Sequence, residues 1–361
     1  MTRKHFGIIG LCVISIPLLL GALYLSSPLN AEIYRGDFKR RVKPNVALER
    51  EAVIDLEYNS YYIAGIAGNT IYLGNSTTPF SLRTIDLSTN ESLNLEIKIA
   101  GLDSIMEPRR CKVSIDSPHF YVYNGIMPQI LRGRIGTWVA KPIMKDNGYF
   151  FVEATPISPH AFALRSYSGS TRAFSLAKKT TGPPYFEFRH GLLQKQMDGI
   201  FCLEGTIHYA KENNLLVYVH TYRNEIILAD TNLNLVLRGK TIDSFNKAHI
   251  DSRTLASGTK TLLASPPLEV NKHSLVWKDK LYVQSNVMAA NDDEGQFRNS
   301  AVLDIYRITD ATYLESIYLD DYHGLKARDV SISGNIITMI YDQYLIINQI
   351  TNSLEPVKHQ E

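Results

Sequence analysis

Four polar side chains fall in or beside segments that otherwise read as apolar strands: Lys112, Glu153, His208 and Arg328. A polar group in such a place must find a partner or reach water, so each marks a channel, a pocket or a buried hydrogen bond. His208, in GTIHYA, titrates closest to neutrality and could serve as an acid, a base or a ligand. A hydrogen-bonded structural histidine fits the same pattern. Asp198 and Glu204 stand among the glycines of MDGIFCLEG. Metal or acid/base chemistry is open to that pair, and so are plain turns built on Asp-Gly. Arg110 and Arg223 lie in connecting segments, where a guanidinium suits a carboxylate or a phosphate. The ligand-binding candidates are therefore Arg110, Glu153, Asp198, His208, Arg223 and Arg328.

Compact catalytic signatures are missing. The sequence holds no HExxH, no paired CxxC, no phosphate-binding glycine loop, no dinucleotide fingerprint and no GxSxG. Residues 291–295 read NDDEG, an acidic turn without the ligand spacing of a calcium loop. Ser-x-x-Lys occurs at 175–178 and 257–260, without the partner motifs of serine acyl transfer. No catalytic residue, metal or cofactor is assigned on these grounds. Cys111 and Cys202 are the cysteines outside the apolar N-terminal run. An exported location would permit them to pair, although they fall in different structural units.

Composition narrows the classes further. Lys plus Arg is 38 against 36 Asp plus Glu, a net charge of +2, which gives no support to nucleic-acid binding. An apolar share of 45% with 20% charged residues belongs to a folded globular chain. Residues 6–25 carry no charge and are long enough to span a bilayer as a helix. Arg3, Lys4 and His5 precede them, while Arg35, Lys39, Arg40, Arg41 and Lys43 follow. The expected organisation is a basic tail (1–5), a single-pass anchor or uncleaved signal (6–25), a basic linker (26–52) and a folded domain (53–361). A short leading tail favours export of that domain to the periplasmic or extracellular side.

The elements that must position the candidates are strands. From residue 53 onward, short runs rich in Tyr, Val, Ile and Leu alternate with Gly, Asn, Asp and Pro, as in all-β structure. A hairpin-like motif recurs at 85–93 (IDLSTNESL), 229–237 (ADTNLNLVL), 306–314 (YRITDATYL) and 348–354 (NQITNSL). A second set of tight turns centres on Gly68, Pro118, Pro159, Asn213, Lys278 and Gly334, spaced 41 to 65 residues apart. Each joins two apolar segments, as a β-hairpin does. A unit of that length holds four strands and their loops. On this rhythm the chain resembles the six-bladed β-propeller proteins from about residue 45 to the end. Residues 33–57 are left over to close the ring or to begin a seventh blade.

The resemblance implies inner strands around an axial channel and tight turns on one face. The longer connections then share the other face: 100–110, 178–199, 241–270 and 320–326 between blades, with 75–81, 124–129, 222–225 and 286–299 within them. Long loops on a rigid scaffold are where binding residues gather. With Arg328 at their edge, these loops balance 13 basic against 13 acidic residues, so they favour neither ligand charge. The expected function is a membrane-anchored binding or interaction module using that face, with a protein or a small ligand as partner. An enzyme with a composite site at the channel mouth and a structural subunit of a membrane complex are the alternatives.

Overall fold

The computed structural model describes residues 15–23, 33–43, 48–101, 110–144, 149–254, 261–263 and 265–350. The chain divides into two compact units, residues 1–35 and 36–361. In the first, residues 15–23 are helical. No helix among the described residues is long and apolar enough to cross a membrane. Most of the span expected at 6–25 lies outside the described residues.

The second unit is a ring of six sheets, each built on four antiparallel strands; blade II carries a fifth, Lys98–Ile99, parallel to its outer strand Val139–Met144. From the inside outward, blade I is Tyr61–Ala67, Thr70–Asn75, Ser81–Asp86 and Ser92–Glu96. Blades II to V begin on the inner strands Cys111–Asp116, Phe151–Ser158, Gly205–Ala210 and Asn271–Trp277. Blade VI takes Asp329–Ser333, Ile336–Tyr341 and Tyr344–Ile350 from the C-terminal part of the chain. Its outer strand comes from the other end: Leu48–Asp55 pairs with Tyr344–Ile350, from Leu48 opposite Ile350 to Asp55 opposite Tyr344. The spare N-terminal residues thus close the ring, and there are six blades. Asn348–Ile350 of the NQITNSL motif pair with this distant segment. Residues 351–354 of that motif lie outside the described residues.

Six apolar clusters explain why the sheets assemble, one at each blade junction. Between III and IV, Ala163, Leu176, Ile207 and Leu216 are buried together. Leu303 and Ile337 fill V–VI, Leu82 and Val122 fill I–II, and Val217 and Val283 fill IV–V. Phe151 and Phe162 pack at II–III, and Ile71 and Leu345 at VI–I. A blade has apolar side chains on both faces, so it is stable only between two neighbours. Second strands such as LLVYVH and IITMIY are accordingly apolar almost throughout. Gly125 shows how close the blades come. A Cβ there would collide with the carbonyl of Phe151, whose N–H donates to the Gly125 oxygen at 3.0 Å.

The tight turns at 68, 118, 159, 213, 278 and 334 each join an inner strand to the second strand. Gly68, Asn214, Lys278 and Gly334 take positive φ there, a conformation that glycine and asparagine adopt at low cost. One connection differs from the sequence reading. Lys178 and the residues after it continue a strand, Ala173–Thr180, and Phe186–Arg189 is the outer strand of blade III. The connection to blade IV is therefore 190–204. Connection 241–270 carries a small hairpin of its own, Ser252–Thr254 with Thr261–Leu263.

The basic linker expected at 26–52 is part of the folded unit at 36–43. It lies along blade V, with Gly36 N–H donating to Met288 O, Ala290 N–H to Phe38 O and Ser316 N–H to Arg41 O. Arg40 is 3% exposed. Its Nε and one terminal nitrogen reach the two oxygens of Asp304 at 2.8 and 3.2 Å. The other terminal nitrogen pairs with Asp292, and Ser285 Oγ and Val287 O accept at 2.8 and 2.9 Å. The acidic turn at 291–295 is used up in this way. Asp292 serves Arg40, and Asp293 caps the short helix Glu294–Asn299 by accepting from Gln296 N–H at 2.8 Å.

Candidate functional site

An inner strand has one edge with no strand beside it, and its N–H and C=O groups there need partners. Side chains of the preceding blade supply them. Tyr62 of blade I accepts from Val113 N–H of blade II at 2.8 Å. Glu153 of blade III accepts from Ile207 N–H of blade IV at 3.0 Å, and Thr155 Oγ1 donates to Ile207 O at 2.9 Å. His273 Nε2 of blade V meets Val330 O of blade VI at 3.2 Å. Asp329 of blade VI accepts from Ile63 N–H of blade I at 2.8 Å. Between blades IV and V, His208 Nε2 and Thr206 Oγ1 both reach Ser274 Oγ, at 2.8 and 2.6 Å. Polar residues on the inner strands thus fasten blade to blade.

These roles shape the protonation states. Burial pushes the Tyr62 hydroxyl up to about 12, so it stays neutral and can serve Val113. Burial raises Glu153, against the pull of Arg165, whose Nε lies 3.8 Å from Oε2. Burial, and then His273, lower His208 to about 3, which keeps it a neutral partner for Ser274.

At the end of the channel where the long connections enter, a cleft of about 520 Å³ opens. Its walls come from the inner strands of blades I, II, V and VI and the residues just before them. Arg110, Lys112, His273, Arg328 and Asp329 supply its charged and titratable groups. Arg328 immediately precedes the inner strand of blade VI. Its guanidinium donates to the carbonyls of Asn59, Tyr61 and Asp342 at 3.0, 2.6 and 3.0 Å, binding blade VI to blade I. Burial lowers its pKa against the opposing pull of Asp329. Asp329, the acid of the cleft, already holds Ile63 N–H.

Of the six sequence candidates, Arg110 and Arg328 line this cleft together. Glu153 and His208 sit on inner strands as foreseen, engaged across blade junctions. Asp198 closes the loop before blade IV: its carboxylate accepts from the N–H groups of Ile200, Phe201 and Cys202 at 2.7, 2.5 and 3.2 Å. Arg223 is buried, donating to Glu225 at 2.7 Å, Cys202 O at 2.8 Å and His220 Nε2 at 2.8 Å. Lys112 was legible in the sequence as a polar residue in a strand. Tyr62 and His273 were not, and the only signal for His273 is a Lys-His pair ahead of an apolar run. Cys111 and Cys202 are both buried and are not joined in a disulfide. Among the described residues, no three His, Cys, Asp or Glu side chains are grouped to hold a metal ion.

The ring of six sheets, closed by the pairing of Leu48–Asp55 with Tyr344–Ile350, makes this protein a six-bladed β-propeller. No family model matches the chain, and no curated protein matches it. Among solved structures it is similar to virginiamycin B lyase from Staphylococcus aureus, at 10% identity and a TM-score of 0.46 over 82% of this chain and 98% of that one. A member of the duf4221 family from Bacteroides vulgatus is similar at 11% identity and 0.48, over 84% and 97%. Regucalcin from Agrobacterium tumefaciens is similar at 10% identity and 0.45, over 91% and 100%.

Proposed function

We propose that the protein is a ligand-binding propeller that takes small anions, carboxylate or phosphate, at its channel mouth. One observation carries the reading: Arg110, Lys112 and Arg328 face a cleft whose acid, Asp329, is already occupied by a backbone N–H. The loops as a whole are balanced in charge, so the positive sign is local to the cleft. A cleft of about 520 Å³ lies within the range that holds a small molecule. Clefts of one sign also concentrate the opposite charge.

Thermal unfolding of the full chain in detergent tests it. Citrate or inorganic phosphate raises the midpoint, and neutral sugars leave it unchanged. A ligand at 100 times its dissociation constant adds about 2.7 kcal/mol. Lys112→Glu weakens the anion at least about tenfold, a charge reversal at a contact of ~1.4 kcal/mol or more. Equal stabilisation by neutral ligands, or an unchanged affinity in Lys112→Glu, overturns the reading.

The reading includes an anchor. Residues 6–25 hold the chain in a membrane with the propeller on the exported side, supported by the uncharged run and its short basic leader. The protein then sediments with membranes, resists extraction by high salt and dissolves in detergent, and protease added outside the cell digests the propeller. A chain lacking residues 1–25 stays in the supernatant. Recovery of the intact protein in a high-salt supernatant refutes the anchor.

A further inference from the structure

We infer that an anion enters the axial cleft together with a proton, which His273 takes up, so that acid tightens its binding and alkali releases it. The inference rests on the reading of the cleft as an anion site and adds the control of that site.

His273 belongs both to the cleft and to the fold. It stands on the inner strand of blade V, Asn271–Trp277, and lines the cleft with Arg110, Lys112, Arg328 and Asp329. Its Nε2 meets Val330 O at 3.2 Å. A carbonyl only accepts, so Nε2 carries a hydrogen and Nδ1 holds the lone pair that a second proton would occupy. The bond to blade VI is therefore made in both protonation states, and the charge can come and go without loosening the junction. The Asp329 carboxylate, 3.7 Å from Nε2, stands close enough to offset an imidazolium charge. The His273 side chain is 27% exposed, which leaves the ring open to water and to a ligand.

Among the described residues that line the cleft, His273 is the one of a type that changes charge between about pH 5.5 and 7.5. Arginine, lysine, phenol and thiol ordinarily titrate above that interval and carboxylates below it. Tyr62, pushed up to about 12 by burial, lies far outside it. Behind the cleft, His208 of blade IV is lowered to about 3 by burial and then by His273, and stays neutral throughout. Burial raises Glu153 of blade III against the pull of Arg165 and Lys112. That acid is the other titrating group near the cleft, and a variant separates its share from that of His273.

The charges around the ring make proton and anion depend on each other. Arg110 and Lys112 of blade II and Arg328 of blade VI oppose a further positive charge in the cleft, and Asp329 favours it. A bound carboxylate or phosphate shifts that balance, because an opposite charge within ~4–6 Å favours the protonated imidazole. The effect is reciprocal: the proton tightens the anion by the factor with which the anion tightens the proton. The proton comes from water and settles on Nδ1, and no bond of the anion is broken. The protein then holds its anion in acidic surroundings and gives it up as they turn neutral.

Isothermal titration of the full chain in detergent tests it with sulfate and oxalate, whose own charge does not change over that interval. The dissociation constant is expected to fall about three- to tenfold from pH 7.5 to pH 5.5, within the tenfold per pH unit that one titrating group allows. Repeating the titration near pH 6.5 in buffers of different ionisation heat shows a net uptake of part of a proton per anion bound. His273→Gln, whose amide can still donate to Val330 O, brings the pH ratio below about twofold, whatever its absolute affinity. Glu153→Gln, checked for folding by its own thermal transition, keeps the ratio. Affinity that is level across pH, a ratio that survives in His273→Gln, or one that is lost in Glu153→Gln overturns the inference and leaves the anion site standing. Failure of both anions to bind at either pH overturns the reading of the cleft itself, and the inference with it.

Discussion

Replacing Arg40 with Ala lowers the stability of the propeller by about 3–5 kcal/mol, the expected cost of stripping one partner from a buried ion pair. Asp304 is 2% exposed, and the Asp292 side chain is fully enclosed. Neither can recover water without moving blade V. Burial works against the guanidinium charge, yet Asp304 and Asp292 outweigh it and hold the group above its ordinary pKa. The arginine also lies 5.0 Å from the Phe38 ring centroid, so the substitution opens apolar space as well. Chemical denaturation at neutral pH reads the loss, and the melting midpoint falls by roughly 4–8 °C. Adding Asp304→Asn to Arg40→Ala recovers part of it, because the orphaned charge is removed. A loss under about 1 kcal/mol, the range of exposed ion pairs, shows that the segment frays and lets water in.

Acid weakens the fold well before most carboxylates are protonated. His220 is fully enclosed, and its Nε2 accepts from Arg223 at 2.8 Å. Burial, and then the charges of Arg223 and Arg238, hold its pKa well below 6.5. His208 is lowered to about 3 but keeps some exposure to the channel, so its share is the smaller. Both are neutral in the folded chain and protonate near pH 6.5 once it unfolds. Below that value the unfolded state holds more protons, and stability falls with pH. Each fully shielded histidine costs about 1.4 kcal/mol per pH unit, which makes a loss of roughly 2–4 kcal/mol between pH 7 and pH 5. Glu153 and Asp243, raised by burial, act in the opposite sense as they take up protons in the folded state. Urea unfolding across pH 5–7.5 measures the slope. His220→Gln is less stable at pH 7.5 and has a flatter slope. An unchanged slope in that variant assigns the acid sensitivity to other groups.

The strand rhythm was legible because each tight turn needs a residue that tolerates its backbone. Gly68, Asn214 and Gly334 mark three such turns in the sequence itself. The closing strand was half legible: residues 33–57 were surplus to the repeat, but nothing local shows that Leu48 meets Ile350. Arg40 was invisible among four basic neighbours, because its partners Asp292 and Asp304 are some 250 residues away in sequence. The same distance problem governs the site. Asp198 and Arg223 have the chemistry of binding residues, but loop and blade contacts consume it. Arg110 and Arg328 come from opposite ends of the ring's sequence, and only closure brings them to one cleft. A balanced count of charges over eight loops could not reveal that one cleft is basic.

The pairing of Leu48–Asp55 with Tyr344–Ile350 sets an order of events during synthesis. The N-terminal strand leaves the ribosome almost 300 residues before its partner exists. At about 5–20 residues per second, it waits roughly 15–60 seconds as an unpaired strand beside a growing open ring. Such a strand invites pairing with a neighbouring nascent chain. Its sequence, LEREAVID, answers the hazard with three consecutive charged residues at Glu49, Arg50 and Glu51, which discourage edge-to-edge association. Arg50 ends over the Tyr322 ring, 5.3 Å from its centroid, while Glu49 and Glu51 stay exposed on the finished surface, guards for a chain whose circle is still incomplete.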